Sequence, residues 1–94
     1  ENKNGTIDES FEYFKKAVEL DPDFIRANFD LGRFYYNMAL RESETSKLKE
    51  LLAKALPYLE KVYAAEPNNR GAKDALRIIY YNFNDAAKME ALGD

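Results

Sequence analysis

The chain has 94 residues, 46% of them apolar and 33% charged, with a net charge of −3 and a pI near 5.0. That supports one small domain burying roughly 60–65% of its unfolded surface, and no apolar run approaches the ~20 residues of a membrane-spanning helix. There is no basic stripe for nucleic acid, and the lack of Cys and His removes thiol chemistry, disulfides, imidazole bases and almost every zinc site.

In chain order, Glu1–Asn4 reads as a polar, frayed start, and Asn4-Gly5 as a turn dipeptide. Thr6-Ile7-Asp8-Glu9 has the form of a capping box, with the Thr6 hydroxyl facing the Glu9 N–H and the Glu9 side chain reaching back. A helix is predicted from Ile7 to about Leu20, carrying Ile7, Phe11, Phe14, Ala17 or Val18, and Leu20 on one face. It stops at Asp21-Pro22, because proline disfavours the helical conformation in the residue before it and has no N–H to donate.

A second helix is predicted from about Phe24 to Arg41, with Ala27, Leu31, Phe34, Tyr35 and Met38 as its apolar stripe. Ser43–Ser46 is a polar bend rich in N-cap residues. The third helix spans about Ser46 to Ala65 with Leu48, Leu51, Leu52, Ala55, Leu59, Val62 and Tyr63 at helical period; Pro57 lies inside it and should bend it near Ala53. Glu66-Pro67 repeats the stop. A fourth helix follows from about Arg70 to Asn82, and Asn84-Asp85 caps a short fifth that ends near Leu92-Gly93.

Aligning the two proline stops exposes a repeat. Ser10, Phe14, Ala17 and Pro22 match Ala55, Leu59, Val62 and Pro67, and Leu31-Gly32 and Tyr35 match Leu76-Arg77 and Tyr80. Small residues on either side of a large one let one helix approach its partner closely while the large side chain fills the groove. These residues resemble the tetratricopeptide repeat, with Leu-Gly then Tyr on its first helix and small-large-small then Pro on its second.

The resemblance implies an all-α fold of five helices, stacked as antiparallel pairs in a right-handed superhelix of about two and a half units. Residues 1–22 would be the second helix of a partial unit, 23–67 a full unit, and 68–94 a shortened last one. Pro22 to Pro67 is 45 residues, against the family's usual length of about 34. The insertion of about three helical turns would lengthen both central helices by roughly 8 Å each without rotating their apolar faces, giving a protruding hairpin. Asn28 stands where many units carry Trp. Arg77 replaces a small residue, which implies looser or differently angled packing of the last pair. The stretches 55–62 and 78–82 look like exported tetratricopeptide proteins of Bacteroides-type bacteria, a resemblance that favours the periplasm or cell envelope, with the cytoplasm as the alternative.

What the resemblance implies for function is a non-catalytic scaffold for a protein or peptide partner, held through the concave groove or the extended hairpin. The family's groove positions fall on Arg26, Phe29, Arg33, Tyr36 and Asn37 of the second helix and on Asp74, Ile78, Tyr81 and Asn82 of the fourth. Packing of Phe29, Ile78 and Tyr81 against a neighbouring helix is the plainer alternative. The family's carboxylate clamp needs Lys, Asn and Arg where this chain has Gly71, Asp30 and Ala75, which disfavours a chaperone-tail adaptor. Another alternative is a helical scaffold in an outer-membrane glycan-capture protein, for which Tyr36-Asn37 and Tyr81-Asn82 would supply the aromatic and amide contacts.

Glu42, Glu44 and Glu50 read as a solvated helix end rather than an acid pair or metal cluster, and no cofactor is expected. Because Asn4-Gly5-Thr6 occupies the family's turn between the two helices of a unit, the chain is expected to be a C-terminal fragment lacking that unit's first helix. Phe11, Tyr13 and Phe14 would then form an uncovered apolar surface and pair two copies as a homodimer.

Overall fold

A computed structural model describes the backbone of residues 2–93 and the side chains of residues 9–93. Five helices follow one another: α1 Asn2–Leu20, α2 Ile25–Arg41, α3 Thr45–Ala65, α4 Arg70–Asn82 and α5 Ala86–Leu92. Among the described residues there is no strand. Each helix packs on the one before it in the chain, most extensively α3 on α2. The result is a slab of 41 × 32 × 18 Å, two helix diameters thick.

The two proline joints are built alike. Asp21 N–H donates to the Ala17 carbonyl at 3.0 Å, Phe24 N–H to Asp21 at 2.9 Å, and Asn28 N–H to Phe24 at 3.0 Å. At the second joint, Glu66 donates to Val62 at 2.7 Å, Asn69 to Glu66 at 2.9 Å and Lys73 to Asn69 at 3.1 Å. Each bond recurs at the spacing that separates Pro22 from Pro67. The buried positions follow the same translation, since Ala27 and Leu31 are matched by Ala72 and Leu76, all inaccessible to solvent.

The core runs along α3 and receives α2 from one side and α4 and α5 from the other. Leu52, Ala55 and Leu59 of α3 meet Ala39 of α2, Ala75, Leu76 and Ile79 of α4, and Leu92 of α5. Helices α2 and α3 approach closely at Gly32, where an added Cβ would stand 2.9 Å from Leu59 Cγ and 3.2 Å from Tyr58 Cβ. Pro57 sits within a continuous α3. Both Pro57 and Ala53, whose carbonyl loses its helical partner there, are exposed, so water can satisfy the freed acceptor. At 17 and 21 residues, α2 and α3 outrun the 13 of α4.

Four features depart from the sequence reading. Helix α1 begins at Asn2 and runs through Asn4-Gly5-Thr6, so no turn interrupts the chain there and Thr6 is not an N-cap. A single glycine costs a helix about 1 kcal/mol and does not stop it as proline does. The expected side-chain roles of Thr6 and Ile7 lie outside the described residues. Leu20 is 80% exposed rather than part of the apolar face, because it lies about 200° round the helix from Val18. Met38, expected in the α2 stripe, is also exposed.

Arg77 reaches from α4 to the end of the last helix. Its guanidinium donates to the Gly93 carbonyl at 2.8 Å, at the end of α5. Helix α4 ends in a Schellman arrangement: Asn84 takes a φ of 55°, with Asn84 N–H on the Tyr81 carbonyl at 3.1 Å and Asp85 N–H on Tyr80 at 2.9 Å. The Asp85 carboxylate then caps α5 by accepting from Lys88 N–H at 3.2 Å.

Asn28 is a buried polar side chain in this core. Its amide donates to the Pro22 and Phe24 carbonyls, both at 2.9 Å. The Lys61 ammonium donates to the same Pro22 carbonyl at 2.9 Å and pairs with Asp23 at 3.1 Å.

These contacts generate two expectations. Gly32→Leu forces a side chain into the Leu59–Tyr58 contact and should destabilise by about 1–3 kcal/mol, lowering Tm by roughly 4–8 °C per kcal/mol; an unchanged denaturant midpoint contradicts the close approach. At neutral pH, Asn28→Asp should destabilise more than Asn28→Ala, because a buried carboxylate would face two carbonyls. Burial raises that carboxyl's folded-state pKa, so acidification should narrow the gap between the two variants. A gap that stays constant on acidification removes the buried-amide account.

Candidate partner-binding surface

One broad face of the slab is formed by α2 and α4, whose axes are set by the two proline joints. The joints begin each helix in similar backbone geometry, with Phe24 at φ −70°, ψ 98° and Asn69 at φ −73°, ψ 102°. Phe29 of α2 lies against Gly71 of α4, where an added Cβ would be 3.0 Å from the ring Cζ. The Arg33 guanidinium rests over the Phe29 ring at 5.4 Å. Arg26 points outward and pairs with Asp30 at 3.4 Å. A notch of about 300 Å³ opens beside Phe29 and Arg26, bordered by Glu66 and Asn69.

Further along, Tyr36 packs half-buried against the core. Burial first, and then the charge of Asp74 on α4, push its phenol above the ordinary tyrosine range. Asp74 also lies 3.8 Å from Arg77 on its own helix. Ile78 is exposed and Tyr81 is 68% exposed, while the Asn82 amide folds back onto the Ile78 carbonyl at 2.9 Å.

The nine residues expected in the groove lie in α2 and α4, and Phe29 is partly spent on packing against α4. Asn37 borders a different cleft, between α1, α2 and α3, because one residue beyond Tyr36 is turned about 100° round the helix. Leu40 was missed by the sequence reading and is 57% exposed. It follows Arg33 and Tyr36 at helical spacing, and an apolar residue off the core stripe was the signal available.

The three α1 aromatics divide. Phe11 stacks on Phe34 at 4.8 Å between ring centroids and meets Tyr35 edge-on at 5.4 Å. Phe11 is half-buried, so part of its ring serves internal packing. Phe14 is half-buried, and Tyr13 is 71% exposed.

Behind the α4 face, Tyr80 donates to the Glu60 carboxylate at 2.7 Å, and Lys88 of α5 pairs with the same carboxylate at 3.5 Å. Burial, then this hydrogen bond and the Glu60 charge, hold the Tyr80 phenol far above its ordinary value. The cluster ties α3, α4 and α5 together and so fixes the angle at which Ile78 and Tyr81 are presented.

Helix pairs stacked by translation, with first helices sharing one face, define a helical-repeat architecture. Residues 2–24, covering α1 and the turn into α2, match the family model described as Tetratricopeptide repeat, and this supports a tetratricopeptide-repeat protein. Such repeats generally mediate protein–protein interactions. No curated protein and no solved structure matches the chain. No helix among the described residues is long and apolar enough to cross a membrane.

The Tyr80 cluster gives an alkaline signature. A phenol with a raised folded-state pKa contributes stability that is complete below its unfolded value near 10 and is lost as pH rises toward the folded value. Melting temperature should therefore fall above about pH 10, and Tyr80→Phe should lower Tm at neutral pH while flattening that fall. An equal alkaline slope in wild type and variant would show that this hydroxyl does not carry the linkage.

Proposed function

We propose that the chain is a non-catalytic scaffold that holds a protein or peptide partner on the α2–α4 face. The observation that supports this reading is that Leu40 of α2 and Ile78 and Tyr81 of α4 are exposed, while Leu31 of α2 and Leu76 and Ile79 of α4 are buried. Aromatic and arginine side chains contribute most to binding when a partner excludes water from them, and Arg33, Tyr36 and Tyr81 are of that kind. In this reading residues 1–22, 23–67 and 68–94 act as successive units, and the longer central pair widens the surface offered.

Panning a displayed random-peptide library on the protein tests the proposal. Peptides selected on wild type should lose at least tenfold in affinity for Tyr81→Ala combined with Ile78→Ala, with the melting temperature changed by less than a few degrees. Selected peptides that bind this double variant as tightly as wild type would remove the α2–α4 face from the function.

A further inference from the structure

Another cleft lies on the other side of α2, between α1, α2 and α3. It encloses about 750 Å³. The floor is α2, contributing Phe34, Tyr35 and Met38, and the walls are Phe11 of α1 and Leu51 of α3. Helices α1 and α3 both pack on α2, so the cleft is a trough between two roughly parallel ridges. Three cations stand at its edge, one from each helix: Lys15, Arg41 and Lys54. Among the described residues none of those bordering it is acidic, although the chain as a whole carries a charge of −3. Among the described residues none of the three cations joins a salt bridge. The Lys15 ammonium lies 5.1 Å from the Phe11 ring centre, which leaves its remaining donors for an anion.

From this arrangement we propose that the trough receives an acidic amphipathic helix of a partner protein. An apolar floor edged by three cations, with Glu12 of α1 also acting on Tyr35, fits apolar side chains at helical spacing flanked by Glu or Asp that meet Lys15, Arg41 and Lys54. The backbone of the occupant decides between a helix and an extended strand. The trough is walled by helices whose backbone groups are already paired, so an extended peptide would find no ladder of partners there. A helix brings its own hydrogen bonds and needs only side-chain contacts. Helical ridges flanking a third helix are also the shape into which another helix packs. This surface is separate from the α2–α4 face and does not depend on it.

The test uses the full chain and a displayed library of helical peptides, panned on wild type and then counter-selected on Arg41→Glu combined with Lys54→Glu. Both residues are exposed, and thermal melts establish that the variant is folded. Enriched peptides should carry apolar residues at i, i+3 or i+4, and i+7 with Glu or Asp on the flanks. They should bind the variant at least tenfold more weakly, lose affinity as salt is raised, and be unaffected by Tyr81→Ala. That last arm separates this site from the α2–α4 proposal. The inference is overturned if the library yields no binder, if enriched peptides lack acidic flanks, or if they bind the charge-reversed variant equally well. Anionic phosphatidylserine vesicles that bind wild type and displace the peptides through the same cations would overturn it in favour of a lipid surface.

Discussion

The carbonyl of Pro22 holds the architecture in place. It accepts from the Asn28 amide and from the Lys61 ammonium, each at 2.9 Å, and so fastens the exit of α1, the first turn of α2 and the C-terminal part of α3 to one atom. Proline sets up the joint by ending α1, but ending a helix leaves the next one free to depart at many angles. The two donors remove that freedom. A buried polar side chain is costly unless it is hydrogen-bonded, and the Asn28 amide donates both its hydrogens to carbonyls of the turn. At the second joint the task is divided differently. The Asn69 side chain accepts from Ala72 N–H at 3.0 Å and donates to Glu66 at 3.0 Å, closing a cap with exposed groups.

With both joints set, the rest follows by translation. Leu31 and Leu76 fill equivalent places, and Gly32 lets α2 settle against Leu59 and Tyr58. Where the first unit has Gly32, the second has Arg77, too large for a close helix contact. The structure turns that side chain outward to the end of α5. The last helix has 7 residues, too few to be stable by itself. It is held by Arg77 at one end, by the Asp85 cap at the other, and by Lys88 on Glu60 between them.

What could be read from the sequence is what the backbone itself enforces. Pro22 and Pro67 locate both joints, the spacing between them gives the repeat, and period 3.6 identifies Leu31, Leu52, Leu59 and Leu76 as core. Side-chain choices made in three dimensions were not legible. Nothing in the pattern distinguishes a glycine that ends a helix from one that a helix crosses, so the start of α1 was misplaced at Asn4-Gly5. The amide of Asn28 was read as a bland replacement for a large aromatic because its partners are carbonyls, which every residue has. Asn37 was assigned to the wrong face because family register does not resolve a rotation of one residue. The trough between α1 and α3 draws on Lys15, Arg41 and Lys54, too far apart in the chain for charge patterning to connect them.

The pairing of helices chiefly with their chain neighbours also governs how the molecule comes apart. Contacts between distant parts of the chain are few, and the broadest interface joins α2 to α3, two helices separated by three residues. Such a hairpin closes a short loop at small entropic cost. It is therefore the natural place for the chain to begin ordering, with α1 and the α4–α5 pair added from either side. Opening should run the other way. The ends can detach as separate cooperative segments while the hairpin persists, so amide protons of Leu52–Val62 should be the last to exchange.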